Sequence, residues 1–123
     1  MPHSGTVLHM RTVPECGDQW RALDAPLPCR MWRGWKGPLA VPIDYHWDGN
    51  SSGLLAPVFP QWNHPIASCR HDWRCGHAQN AEQRKWADEE FRRDVGTTSW
   101  WVTAQLGYLG VRAGAFLGIG KNY

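Results

Sequence analysis

The sequence predicts an α+β fold: a Pro-rich N-terminal arm and a few short strands packed on two or three C-terminal helices. Three observations carry this expectation. Pro2, Pro14, Pro26, Pro28 and Pro38 rule out a long helix in the first third. Apolar residues in the second half recur at helical spacing. The 123 residues include 9 Trp, so a single small core can be filled by a few large side chains. The expected organisation is an arm over residues 1–38 and one small domain over 39–123.

In the arm, Thr6-Val7-Leu8 and Met31-Trp32 read as short strands, and Trp32 to Pro38 as a strand ending in a turn. Leu39 to Ile43 reads as an edge strand, because Pro42 would interrupt a central one. Asp48-Gly49-Asn50-Ser51-Ser52-Gly53 is the most loop-like stretch. Leu54 to His64 is apolar but holds Pro57 and Pro60, and is expected to be an extended connection.

Pro65 suits the first turn of a helix, which should run from Ile66 to about Cys75 and end near Gly76. Asn80 followed by Gln83 resembles a capping box for a second helix, Ala81 to Val95, stopped by Gly96. On that helix Ala87, Phe91 and Val95 share a face, Asp88 lies at its edge, and Arg84–Asp88 is an i,i+4 pair. A third helix is expected from Ser99 to about Leu117. Gly110, Gly114 and Gly118 repeat every four residues along it, which implies close backbone approach by the second helix or by another chain. Gln105, Arg112 and the glycines argue against a membrane span.

Charge excludes more than it identifies. The net charge is +2 and there is no Lys/Arg run of the kind that tracks a phosphate backbone, so no specific nucleic-acid partner is expected. Ten of the 13 basic residues are Arg, a composition that suits fixed contacts. The first residues have neither a basic nor an apolar segment of an export signal, and Cys16, Cys29, Cys69 and Cys75 are expected to be thiols. The Trp excess has two readings, a Trp-rich core with half-exposed rings or contacts with other chains. The interface candidates are Trp32, Trp35, Trp100, Trp101, Gly110, Gly114 and Gly118.

The chemistry-bearing residues centre on Ser68 to His77. His71 titrates near neutral pH and is a candidate general base. Asp72 points about 100° away on a helix, so it can hold a cation while His71 takes a proton. Asp88, returning on the next helix, would orient the imidazole. Asp48 and Asn50 would complete a candidate Ca²⁺ site with Asp72. An alternative Zn²⁺ set is Cys69, His71, Cys75 and His77, whose spacing is not that of a standard finger. The plainer reading is that His71 and Asp72 only cap and pair at a helix junction, with Arg70, Arg74 or Arg84 as partners.

Several short motifs in order also resemble a family of small bacteriophage proteins of unknown function. They are Val41-Pro42, Trp47-Asp48-Gly49-Asn50-Ser51, Ala67-Ser68, His71-Asp72-Trp73, and Ala87-Asp88 with Phe91. Asn50 stands where Ala is commoner in that family. The resemblance spans Val41 to about Gly118 and implies a virion- or tail-associated phage product, assembled in the host cytoplasm in many copies with other virion proteins. A second resemblance is local. Cys69 to Trp73 followed by Asp88 to Asp94 looks like the active-site helices of prokaryotic phospholipases A2. It implies that His71 activates water, Asp72 binds calcium and Asp88 orients His71. Here Trp73-Arg74-Cys75 replaces the aromatic-Gly-Tyr usual after His-Asp. Two functions are therefore expected: a structural or adaptor protein of a phage tail or tail tip, or a small His/Asp hydrolase touching the host envelope transiently during infection.

Overall fold

The computed structural model describes residues 7–18, 20–49 and 64–118. Their fold is α+β, as expected: five short antiparallel strands precede three helices. Strands β1 (Met10–Thr12), β2 (Arg21–Leu23) and β5 (His46–Trp47) form one sheet in the order β1-β2-β5, with Arg11 opposite Ala22 and Ala22 opposite His46. Strands β3 (Leu27–Pro28) and β4 (Ala40–Val41) form a separate ribbon. Of the expected strands, Leu39–Ile43 shrinks to β4. Val7 and Leu8 lie outside β1, and Met31-Trp32 is buried without strand pairing. Thr6, Asn50 to Gly53 and Leu54 to Asn63 lie outside the described residues.

Helix α1 spans Pro65–His77, α2 Ala81–Gly96 and α3 Trp101–Phe116. Pro65 opens α1, where its missing N–H is no loss. Asn80 caps α2: its Oδ1 accepts the Gln83 N–H at 2.8 Å, while the Gln83 side chain accepts the Gln79 N–H at 2.8 Å. The cap therefore reaches back one residue further than a standard capping box. At the end of α3, Gly118 takes φ 81° and its N–H reaches the Ala115 carbonyl. Gly118 is thus a helix-stopping residue rather than a member of a packing stripe.

Two apolar clusters make the core. The first joins the strand region to α1: Leu23, Leu27, Cys29, Met31, Trp32, Val41 and Trp47 pack with Cys69 and Ala78. The second lies among the helices and comprises Ala67, Phe91, Val95 and Ala104. Helix α2 packs on both α1 and α3. Along α3, Gly107 and Gly114 are buried on the same side as Ala104 and Ala115. Arg84 of α2 reaches the Val111 main-chain carbonyl, so the small residues do admit a neighbour to the α3 backbone. Gly110 is only half-buried. Among the described residues, no helix is long and apolar enough to cross a membrane.

Candidate functional site

Helices α1 and α2 bring His71 and Asp88 together, as the sequence spacing predicts. His71 Nε2 lies 2.6 Å from Asp88 Oδ1. Asp88 is wholly buried, and the His71 side chain is 15% exposed. The His71 ring leans on Phe91 with centroids 4.9 Å apart. A carboxylate only accepts, so this hydrogen bond places a proton on Nε2. Cys75, one turn along α1, sets its Sγ 3.3 Å from the same Nε2. Nε2 therefore already donates to Asp88 and cannot also take the thiol proton. In the neutral ring the basic nitrogen is Nδ1.

Asp88 has two further partners. Arg84 donates from Nε to Oδ1 at 3.2 Å, the i,i+4 pair read from the sequence, and Arg112 of α3 donates to Oδ2 at 2.9 Å. The Arg112 contact depends on how α3 rotates against α2, which no local pattern specifies. Burial pulls the His71 pKa down, but the Cys75 sulfur and the Asp88 carboxylate more than offset it and raise it to about 9. At neutral pH His71 is therefore held as an imidazolium inside a cluster of charges.

His71, Cys75 and Asp88 can each offer a ligand atom, all within 4.8 Å of one another. Both Asp88 oxygens already carry guanidinium partners, so a dication there would face two fixed positive charges. The donor set fits an ion-pair cluster better than a metal centre. The other proposed zinc ligands point elsewhere. Cys69 sits in the first core cluster, where burial raises its thiol pKa. His77 contacts the Trp73 carbonyl through Nδ1 at 2.8 Å, and its ring lies tilted against Trp73 and edge to face with Trp35.

Asp72 faces away from this cluster and accepts a hydrogen bond from the Tyr45 hydroxyl. Although the residue as a whole is exposed, crowding at the carboxyl raises its pKa; Tyr45 and His71 oppose that rise and Asp48 adds to it. Asp48 and Asp72 are thus within electrostatic range. The third candidate calcium ligand, Asn50, lies outside the described residues.

A second buried carboxylate was not singled out by the sequence reading. Asp94 binds Arg70 through Oδ1 and Arg74 through Oδ2, both at 3.1 Å. The same arginines use their Nε atoms on the Pro28 and Arg30 carbonyls. The available signal was an acid on the Ala87–Phe91 stripe of α2, opposite two arginines spaced i,i+4 on α1. Of the interface candidates, Trp32 and Gly114 are buried, Trp35 and Gly110 half-buried, and Trp100, Trp101 and Gly118 exposed. No family model, curated protein or solved structure matches the chain.

Proposed function

We propose that this chain is a structural adaptor of a bacteriophage particle, in the tail or tail tip, and that it docks onto other virion proteins through α3. The observation that carries the reading is the uncovered apolar face of that helix. Trp100, Trp101, Leu109 and Phe116 are 79%, 73%, 62% and 91% exposed, and Val102, Leu106 and Leu117 extend the patch. A run of large apolar side chains exposed along one side of a helix marks an interaction surface. Exposed Trp is the residue type that most often anchors such contacts. The motif order from Val41 to Phe91 supplies the phage context.

The test replaces Trp101 and Leu109 together with Glu in the phage that encodes the chain. The expected result is a folded protein, with unchanged helical circular dichroism, that drops at least about tenfold in purified particles; the loss of two interface anchors is worth that much. Unchanged incorporation would overturn the reading.

A second reading is a His/Asp hydrolase acting on the host envelope. It is favoured by one geometric fact, the 2.6 Å contact that holds His71 against a buried Asp88. Catalysis would need the neutral imidazole, with Nδ1 as the base toward water. Because the His71 pKa is raised to about 9, hydrolysis of phospholipid vesicles in Ca²⁺ should climb with pH toward that value and vanish in His71→Gln. A flat, His71-independent rate would dismiss it.

A further inference from the structure

The turn from Trp32 to Gly37 and the α1–α2 corner line an open cleft of about 510 Å³. That is within the usual range of small-molecule sites, roughly 300–1,000 Å³. It is built apart from both α3 and the His71 cluster. Trp32 and Trp35 supply its apolar wall, with centroids 5.5 Å apart and rings edge to face. Trp35 is fixed by its own indole N–H, which donates to the Pro38 carbonyl at 2.9 Å. Lys36, His77, Gln79 and Gln83 supply the polar part of the lining.

The chemistry of this lining is selective. The Gln83 carbonyl oxygen is taken by the Gln79 N–H, so the –NH₂ end of that amide is the one able to donate to a ligand. His77 holds its Nδ1 on the Trp73 carbonyl, which leaves Nε2 as the acceptor of the neutral ring. Among the described residues no carboxylate lines the pocket, and Lys36 adds a positive charge. A cationic ligand is thereby disfavoured, despite the two indoles that would otherwise suit one.

Gly76 adds an independent observation. It lies in the last turn of α1 and lines the pocket, and a Cβ built on it would meet nothing within 4 Å. Glycine weakens a helix, and no neighbour here demands its small size. Its effect is to keep space open above the helix, at the pocket.

We infer that this pocket binds a glycan, with the C–H face of a neutral or acidic sugar ring against the half-buried Trp35 indole, which the buried Trp32 backs, and its hydroxyls on the Gln79 and Gln83 amides and His77. A half-buried indole, neutral amides and one ammonium, with no acid among the described lining residues, match a ring that is apolar on one face and rich in hydroxyls at its edge.

The test is saturation-transfer NMR on the intact protein with an N-acetylglucosamine trimer, a cellotriose and a galacturonate trimer, and with choline as the cationic control. The expected result is transfer from at least one glycan with Kd near or below about 1 mM, and none from choline. Gly76→Leu should keep or raise the unfolding midpoint, because Leu is the better helix former and the space is open, yet abolish transfer. Gln83→Ala should weaken binding about fivefold or more, the loss of one well-placed hydrogen bond. No transfer from any of the three glycans would overturn the inference. So would transfer that survives both substitutions, or binding of choline in their place.

Discussion

His71 shows how a few buried neighbours decide what a side chain can do. The free imidazole has a pKa near 6.5, and here burial is outweighed by Cys75 and Asp88, which raise it to about 9. The linkage sign follows from that direction. A raised folded-state pKa means that the folded chain binds the proton more tightly than the unfolded one. The resulting stability is fully present below about pH 6.5 and is lost as pH rises through about 9. Urea unfolding at a series of pH values should therefore show stability falling across that window, by on the order of 3 kcal/mol. In His71→Gln the fall should be absent. A wild-type profile flat from pH 6.5 to 9 would show that Asp88 is served by Arg84 and Arg112 alone.

At the scale of elements, what could be read from the sequence depended on punctuation. Pro65, Asn80 and Gly96 bracket α1 and α2, and both helices lie within two residues of the expected bounds. Their pairing then made the His71–Asp88 contact legible. The strands, of two or three residues, are too short to show a period of two, so β1 falls at Met10–Thr12 and leaves out Val7 and Leu8. Met31 and Trp32 are apolar because they are buried, and pair with no strand. On α3 the buried glycines face α2, and longer side chains add contacts that spacing did not specify: Arg112 reaches Asp88, Gln105 accepts from Arg92, and the Arg92 guanidinium stacks over Tyr108 at 4.2 Å. Long side chains at the edges of a helix wrap around it, so spacing alone does not say which neighbour they meet. The cap of α2 gives an element-scale prediction. Asn80→Ala removes the 2.8 Å bond to the Gln83 N–H and should destabilise the chain by about 1 kcal/mol. Asn80→Asp should be nearly neutral, since it keeps the acceptor. Thermal unfolding of the two variants side by side separates the cap from a general effect of substitution at this position.

On the scale of the whole molecule, the two apolar clusters meet along α1, which gives Cys69 to one and Ala67 to the other, and Trp86 of α2 packs on the first. Buried polar contacts reinforce that join. Arg70 and Arg74 each link a carbonyl of the strand region, Pro28 or Arg30, to Asp94 of α2. Arg74 is 1% exposed and its guanidinium also lies 5.4 Å from the centre of the Trp86 ring. Each guanidinium is desolvated, and both of them contact the Asp94 carboxylate. Asp94→Ala would leave two buried cations without that partner, a loss of about 3–5 kcal/mol. That is a large share of the roughly 5–15 kcal/mol that holds a typical domain together. The effect should also be directional. The wild-type chain should unfold in one transition, with Trp emission and helical circular dichroism changing together. In Asp94→Ala the tie between the clusters is lost, so Trp emission from Trp32 and Trp47 in the first cluster should shift at lower denaturant than the helical signal. Coincident transitions in the variant, at an unchanged midpoint, would mean that apolar packing rather than Asp94 joins the two halves.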